Sequence, residues 1–437
     1  MILSSPATVI RARRRSSECV LLCAAIGLSA SGSAQTAGAA LSASREADTS
    51  SLLSAGRLVK LPAAAHAEWD AYLSRSRSSR NTDEALIAAE LKQLGQATMV
   101  PAPLLKESFD FVPRTMTPEF FRTDSARKMA DNMLTFQTPS GGWSKHVSFT
   151  EGARKPGQSF FSENDKWQYI ATVDNDATTS EIRFLHQASL QHRDKRYENG
   201  VLNGVAYLLH AQFPNGCWPQ VWPLQGGYHD AATFNDNAIV EVMQLLDDAA
   251  TGKMTYVPDS LRKQSATAVQ RAIQCVLQAQ VVVRDTFTVW GQQHDPLTLA
   301  ATNARSYELT SLTSKESASI VDFLMTHTDA DTRIPARVHA AIDWFEHNKI
   351  LGFRYEQQAG LIADASAPPQ WARMSEIGTN TPIFSNRDGI KQYKYDALTD
   401  RRIGYGWYAD SPNSTLKRYA KWAQTHPRSA STKREQF

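Results

Sequence analysis

Apolar residues recur at intervals of three and four along most of the chain, which is the spacing of one face of an α-helix. The spacing predicts a long helix over 63–94, in which Trp69, Tyr72 and Leu73 share a face. It also predicts helices over 125–136, 180–190, 200–212, 238–248, 259–280, 314–324 and 335–346. Few segments alternate apolar and polar residues with a period of two, so strands should be few and short. The pattern therefore predicts an all-α fold.

A motif of the form Gln-x-x-x-Gly-x-Trp occurs twice. The first copy spans 137–143 and the second spans 212–218, a shift of 75 residues. A weaker third copy retains Gln280 and Trp290 but lacks the glycines. Each copy ends a predicted helix, so the repeat indicates tandem helical hairpins. Such hairpins could stack as an open solenoid, but long loops at their equivalent ends favour a closed toroid whose loops form one cleft.

The first 34 residues have the three regions of a secretory signal peptide. Four arginines lie between Arg11 and Arg15, an apolar run covers 20–28, and small residues precede an expected cleavage near Ala34. The run is shorter than the roughly 20 residues that cross a bilayer. We therefore expect a secreted or periplasmic protein; the alternative is an extension that stays attached. Residues 35–60 are rich in Ala, Ser and Gly and predict a flexible linker.

The charge of the mature chain limits the class of partner. The predicted signal carries four arginines and one glutamate, so its removal lowers the formal net charge from +3 to zero. An acidic ligand must then be bound by a local basic cluster, because bulk charge does not attract it. The sequence has no polybasic run or nucleic-acid motif, and we expect a monomer with neither a nucleic-acid nor a membrane partner.

Two cysteines, Cys217 and Cys275, lie outside the predicted signal. An oxidising compartment would permit them to pair, since they occupy related places in neighbouring repeats. Two buried free thiols are the favoured interpretation. Their spacing gives no zinc site.

Polar segments follow the repeats at 172–178 (TVDNDAT), 234–238 (FNDNA) and 303–309 (NARSYEL). An Asp or Asn in front of a helix is commonly an N-cap, which is the simpler interpretation of each residue alone. Together, however, Asp174 and Asp236 are each followed by Asn in neighbouring repeats. Two such carboxylates would supply hard oxygen ligands to one point, as a calcium ion requires. The sequence has no EF-hand loop.

Basic and aromatic residues near these segments suggest a site for an acidic sugar chain. Arginine binds carboxylates through two parallel hydrogen bonds, so a few arginines beside calcium would suit uronic acids; a surface ion pair is the alternative for each. Tryptophans could line the groove and pack against sugar rings, or instead plug the ends of the hairpins, as we expect for at least two of them. The basic candidates are Lys145, Arg305, Arg373 and Arg387, and the aromatic candidates are Trp143, Trp218, Trp222 and Trp290.

Seven ordered segments between about residues 125 and 408 resemble family 10 polysaccharide lyases that act on pectate. They are 137–146 (QTPSGGWSKH), 171–178 (ATVDNDAT), 212–222 (QFPNGCWPQVW), 233–238 (TFNDNA), 304–312 (ARSYELTSL), 371–389 and 402–408 (RIGYGWY). One departure is Cys217, where the family more usually has a second Gly. The resemblance implies an (α/α)3 toroid, which we expect over 109–437. We also expect 61–108 to form a helical segment packed on it.

The resemblance also implies the chemistry and its residues. The expected reaction is calcium-dependent β-elimination on polygalacturonate, which gives 4,5-unsaturated oligogalacturonides. Asp174 and Asp236 would hold the calcium ion, and Arg305 would act as the base. The predicted substrate-binding residues are Lys145, Asn175, Asn237, Arg373 and Arg387, together with Trp143 and Trp218. A base role for Arg305 conflicts with its intrinsic pKa of about 12 or higher, unless a dry and positively charged site disfavours its charge.

Three other functions compete with this interpretation. A terpene cyclase shares the Gln-x-x-x-Gly-x-Trp repeat but uses an Asp-rich motif in an apolar pocket, and this chain has no Asp-x-Asp-Asp. A toroid that only binds polysaccharide would need a groove, but no base placed beside two aspartates. An inverting glycoside hydrolase would use two carboxyl groups about 6.5 to 9.5 Å apart, and Asp174 and Asp236 are the candidates.

Overall fold

The computed structural model describes residues 52–105, 116–162 and 170–428. The predicted signal peptide, most of the predicted linker and the predicted domain boundary at 108–109 lie outside these residues and stay predictions. Within the described ranges, no helix has the length and apolar character needed to cross a membrane.

The structure is built of α-helices joined by long loops. The helices are α1 (Ala55–Leu58), α2 (Ala63–Leu94), α3 (Pro118–Phe121), α4 (Asp124–Thr135), α5 (Thr179–His192), α6 (Lys195–Ala211), α7 (Ala238–Ala250), α8 (Asp259–Ala279), α9 (Ser314–Thr326), α10 (Ile334–His347) and α11 (Pro412–Trp422). All eight helices predicted from apolar spacing are present. The prediction starts α6 five residues late, because Asp194 caps this helix by accepting a hydrogen bond from the backbone N–H of Arg196.

The strands of the described residues are two to four residues long and pair within the loops. They are β1 (Ala232–Thr233), β2 (Val282–Val283), β3 (Thr286–Phe287), β4 (Gln293–His294), β5 (Ala301–Thr302), β6 (Leu312–Thr313), β7 (Phe353–Glu356), β8 (Gly360–Ala363), β9 (Trp371–Ala372), β10 (Met374–Ser375), β11 (Phe384–Ser385), β12 (Lys391–Gln392) and β13 (Tyr408–Ala409). The antiparallel pair β6–β10 joins the loop after α10 to the loop that leads into α9, and the pair β9–β13 forms within the loop after α10. The all-α prediction with few short strands is confirmed.

Helices alternate between two layers. Helix α5 contacts α7, and α7 contacts α9, while α4 contacts α6 and α6 contacts α8. The chain therefore passes repeatedly from one layer to the other through a long loop and returns through a short one. Three of the long loops end at the N-termini of α5, α7 and α9, so these helix starts lie at one end of their layer, and a further long loop leads from α10 to α11. The predicted site segments are located there.

The repeated Gln and Trp lock each loop to the helices. The Gln212 side-chain amide donates to the carbonyl oxygens of Gly216 (2.8 Å) and Ala268 (2.9 Å), and Gln137 and Gln280 each bridge two carbonyls in the same way. The Trp218 indole N–H donates to the Leu208 carbonyl at 2.7 Å, near the end of α6. Gly216 is required because a Cβ there would lie 2.2 Å from the Arg271 carbonyl oxygen.

Trp143 and Trp218 were predicted to bind substrate, and the structure corrects this prediction. Both side chains are fully buried, and the Trp143 indole N–H donates to the Met133 carbonyl at 2.9 Å. Trp222 and Trp290 are also buried. These tryptophans therefore plug the ends of the hairpins, and their faces are not available to a sugar ring.

The N-terminal helix α2 packs on the repeats. Trp69 and Tyr72 are buried and lie 5.1 and 5.3 Å from the ring of Phe213, centroid to centroid. Part of the predicted flexible linker is also packed. Leu58 is buried, and Arg57 forms an ion pair with Asp295 at 2.6 Å, so the linker prediction is wrong for residues 52–60.

Cys217 and Cys275 form a disulfide, so the favoured prediction of two free thiols is wrong. Cys217 lies in the loop of the second motif, and Cys275 lies on α8. The two Cα atoms are 5.7 Å apart because the motif loop packs directly against this helix, as the contact of Gly216 with Arg271 also shows. The disulfide links two neighbouring repeats across 58 residues of sequence.

Candidate active site

Two short 3-10 turns, Asp174–Asp176 and Asn235–Asn237, contact each other just before α5 and α7. Both contain consecutive residues in the left-handed region, with φ of 50° at Asn175 and 47° at Asp236. Non-glycine residues rarely adopt this conformation, although Asn and Asp tolerate it best. Such strain is commonly located at functional sites.

The equivalence of these two turns corrects the sequence analysis. The Asp-Asn pairs were expected to occupy matching places. In the structure, Asp174 instead matches Asn235, and Asn175 matches Asp236, because each turn begins one residue before its first left-handed position. Asp174 and Asp236 therefore extend from successive positions of the turn. The first turn supplies two carboxylates and one amide, and the second supplies one carboxylate and two amides.

A polar pocket of about 390 Å³ opens beside the turns. Its lining includes five of the predicted site residues and five that were not predicted. They are Asp174, Asn175, Asp236, Arg305 and Arg373, with Gln357, Arg401, Gly404, Tyr405 and Gly406. The segments that supply these residues are widely separated in the sequence. Pairing of the short strands in the loops brings the last segment, 401–406, to the N-termini of α5, α7 and α9.

Both pocket aspartates bind basic side chains. Lys145 Nζ lies 2.7 Å from Asp174 Oδ2, and Lys315 Nζ lies 3.0 Å from Asp236 Oδ1. Arg373 Nη2 contacts the same oxygen of Asp236 at 3.1 Å. Burial alone would raise the pKa of Asp236, but the charges of Arg373 and Lys315 outweigh it and lower the pKa. Asp236 is therefore ionised at neutral pH.

Arg373 is the most enclosed cation of the pocket, with a side chain that is 7% exposed. Its Nη2 donates to Glu316 Oε1 at 2.6 Å and to Asn235 Oδ1 at 3.1 Å. The Glu316 carboxylate is fully buried and also binds the hydroxyl of Thr313. Burial acts to lower the pKa of Arg373, but the neighbouring Glu316 raises it well above its usual range. The backbone of Arg373 is fixed by hydrogen bonds to Ser314 and Trp407.

Arg305 lies at the mouth of the pocket and is held by Glu308. Its Nε and Nη2 donate to the two oxygens of Glu308 at 2.8 and 2.5 Å. The Arg305 side chain is 42% exposed, whereas Glu308 is 4% exposed. Burial lowers the pKa of Arg305, but the hydrogen bonds and charge of Glu308 reverse this effect and raise the pKa above its usual value. The Tyr307 ring lies 4.9 Å from the guanidinium carbon.

Three of the predicted polar binding residues, Lys145, Asn237 and Arg387, lie outside the pocket lining, and Lys145 reaches it through Asp174. Asn237 is in the second turn, and its side-chain oxygen is buried without a hydrogen-bond partner in the described structure. Arg387 has a side chain that is 66% exposed and lies 3.8 Å from Asp400. Its backbone carbonyl accepts a hydrogen bond from Ser306, next to Arg305. Asn237 is therefore partly buried with its side-chain oxygen enclosed, and Arg387 lies at the edge of the site.

The residues that sequence reasoning missed are Arg401, Tyr405, Glu316, Lys315 and Gln357. Tyr405 stands within the segment 402–408 and Arg401 directly before it, so their position next to a recognised motif was the available signal. Glu316 and Lys315 follow the start of α9, the third helix of the layer to which α5 and α7 belong. No sequence signal marks Gln357.

The site geometry discriminates between the competing functions. A polysaccharide-binding toroid does not need Arg305 and both aspartates to converge, yet all three line one pocket. An inverting hydrolase needs a carboxyl group that stays protonated as the general acid, and the lowered pKa of Asp236 does not suit that role. A terpene cyclase needs an apolar pocket, and this pocket is lined mainly by charged and polar side chains.

Comparisons with known proteins identify the family of this chain. The model of the pectic acid lyase family matches residues 137–416. Two solved structures of a family 10 polysaccharide lyase from Cellvibrio cellulosa are similar to this chain, each with 30% identity and a TM-score of 0.62. One is an aspartate-to-alanine mutant in complex with trigalacturonic acid, and the alignment covers 71% of this chain and 96% of that one. The other alignment covers 74% and 98%.

A search of curated proteins found no match. The structural likeness is consistent with the predicted toroid of helical hairpins. The family match covers well over half of the chain and includes every residue that lines the pocket. The chain belongs to the pectic acid lyase family and is a polysaccharide lyase.

Proposed function

We propose that this enzyme is a calcium-dependent pectate lyase that cleaves polygalacturonate by β-elimination and releases 4,5-unsaturated oligogalacturonides. The observation that carries the proposal is the convergence of Arg305, Arg373 and two aspartates on one pocket. The complex of the related lyase with trigalacturonic acid supports the same class of substrate.

The reaction removes the C5 proton of a galacturonate, after which the oxygen at C4 leaves and a double bond forms between C4 and C5. Negative charge builds up on a sugar that already carries a carboxylate, so the main barrier is electrostatic. Positive groups fixed in the pocket lower this barrier, because they need no reorganisation during the reaction. Arg373 is such a group, since Glu316 and Asn235 hold its guanidinium in place.

We assign Arg305 as the base that accepts the C5 proton. The bidentate contact with Glu308 keeps its guanidinium protonated in the structure. Arg305 must therefore lose a proton, either to Glu308 or to water once the ion pair opens, before it can accept a proton from the substrate. The neighbouring cation Arg373 favours loss of the Arg305 proton, since like charges disfavour the charged form.

The oxygen atoms of the pocket fit calcium in part. Asp174, Asn175 and Asp236 are the side chains that would hold the ion. Calcium takes six to eight oxygen ligands. The described residues contain no group of three or more His, Cys, Asp or Glu side chains that could hold a metal, so substrate carboxylates and water would complete the site. Bound there, calcium supplies positive charge beside the substrate carboxylate.

We assign the remaining substrate contacts from the position and exposure of each side chain. We assign Lys145 and Asn175 to the inner part of the site, beside Asp174, and Arg387 to its outer edge. Asn237 receives no substrate role because its side-chain oxygen is buried. We further propose that the enzyme acts as a monomer after export and removal of residues 1–34.

Removal of calcium is expected to lower the rate on polygalacturonate by about 100-fold or more, because a bound divalent cation contributes several kcal/mol of charge stabilisation. The measurement is the ultraviolet absorbance of the unsaturated product, with EGTA and then with excess calcium. Circular dichroism in EGTA is the control for folding. Full activity in EGTA would contradict a calcium role, and activity that calcium does not restore would contradict reversible binding at this pocket.

A further inference from the structure

Three arginines line the pocket, and two of them have acidic partners. Arg305 pairs with Glu308, and Arg373 pairs with Glu316 and Asp236. Arg401 makes no ion pair within 52–105, 116–162 and 170–428, although its side chain faces the same pocket. A partly enclosed guanidinium without a counter-ion is unfavourable, because burial removes hydration that no carboxylate replaces. Such a group is suited to an anionic ligand.

Aromatic side chains hold Arg401 in position. Its guanidinium carbon lies 4.3 Å from the centre of the Tyr307 ring and 5.7 Å from that of Tyr405. Its Nη2 donates to the Gly404 carbonyl at 3.1 Å. Its Nε is enclosed and has no hydrogen-bond partner in the described structure. Stacking on tyrosine restricts the plane of the guanidinium but leaves donors free, which is the preorganisation that favours carboxylate binding.

The same ring links Arg401 to the proposed base. Arg305 also lies over Tyr307, at 4.9 Å, and Arg373 lies over Tyr405, at 4.6 Å. The two tyrosines meet edge to face with centroids 5.4 Å apart. They therefore form a support on which all three pocket arginines rest.

We propose that Arg401 binds a carboxylate of the substrate chain, next to the sugar from which Arg305 removes a proton. This inference rests on the proposed lyase function and adds a residue that determines affinity for the acidic chain. Because Arg401 does not take part in proton transfer, its contribution is to binding. A repeating acidic sugar presents a carboxylate on each residue, so a second arginine beside the first matches its chemistry.

The test is steady-state kinetics on trigalacturonate with the Arg401→Gln variant. We expect KM to rise about tenfold, as loss of roughly 1.4 kcal/mol of binding predicts, while kcat stays within about twofold. Arg401→Lys keeps the charge but lacks the planar fork, so KM should rise less, by about threefold. The matched control is Arg333→Gln, which removes one charge from an exposed pair with Asp331 beyond the C-terminal end of α9 and should leave KM unchanged.

The outcomes separate this inference from the proposed function. If the wild type forms unsaturated product and Arg401→Gln shows an unchanged KM, the inference is overturned. If the wild type forms no unsaturated product, the proposed function itself fails. If Arg401→Gln does not fold, Arg401→Lys decides the question, and a KM equal to the wild-type value overturns the inference. A fall in kcat without a change in KM also contradicts it.

Discussion

Replacing Arg373 with methionine is expected to lower the free energy of unfolding by about 3–5 kcal/mol, the effect of breaking a buried ion pair. The Arg373 side chain is 7% exposed and that of Glu316 is fully buried. Methionine fills most of the volume but leaves the Glu316 carboxylate without its cation. Asp236 and Asn235 would lose the same donor. Chemical denaturation monitored by circular dichroism measures the change.

A second substitution distinguishes the lost pair from lost packing. In Arg373→Met with Glu316→Gln, no buried charge remains unpaired, so most of the lost stability should return. Activity should stay low in both variants, because the positive charge beside Asp236 is absent. Equal stability of the single variant and the wild type would show that the Arg373–Glu316 pair is not needed for the fold. Full activity of the double variant would remove Arg373 from the mechanism.

Replacing Arg305 with alanine is expected to lower kcat by about 1,000-fold with little change in KM, since a positioned base contributes 100- to 10,000-fold. The Arg305 side chain is 42% exposed, so its removal disturbs packing little. Arg305→Lys retains a charge and should recover part of the rate at alkaline pH, where some of the lysine is neutral. The absorbance of unsaturated product gives the rates.

The Arg305→Ala substitution leaves the Glu308 carboxylate, which is 4% exposed, without its ion-pair partner, and this effect needs a control. Arg305→Ala with Glu308→Gln removes that unpaired charge and should fold at least as well as the single variant, while remaining inactive. Turnover near the wild-type rate in either alanine variant would contradict the assignment of Arg305 as the base.

The helical architecture could be predicted from sequence because apolar spacing and the repeated motif are local signals. The structural role of the repeated motif could not be predicted from the sequence. Gln212 and Trp218 bind carbonyl groups of two helices, and these contacts exist only after the hairpins pack together. The same packing brings Cys217 to Cys275, a proximity that sequence spacing does not reveal.

The site residues could be predicted from the sequence where they follow a copy of the repeated motif. Asp174, Asp236 and Arg305 come after successive motif copies and line one pocket. The structural equivalence of Asp174 and Asn235 was missed, because it depends on left-handed backbone angles and not on the identity of the residues. Arg401 was missed because its stacking on Tyr307 joins residues that are far apart in the sequence.

The central claim, that this pocket breaks the chain by elimination and not by hydrolysis, is tested most directly by the mass of the fragments. Purified enzyme is incubated with polygalacturonate and calcium, and the fragments are analysed by mass spectrometry and ultraviolet absorbance. Elimination predicts absorbing fragments whose new non-reducing ends are one water lighter than hydrolysis products. Saturated fragments of the hydrolytic mass, formed by folded enzyme, would contradict the account.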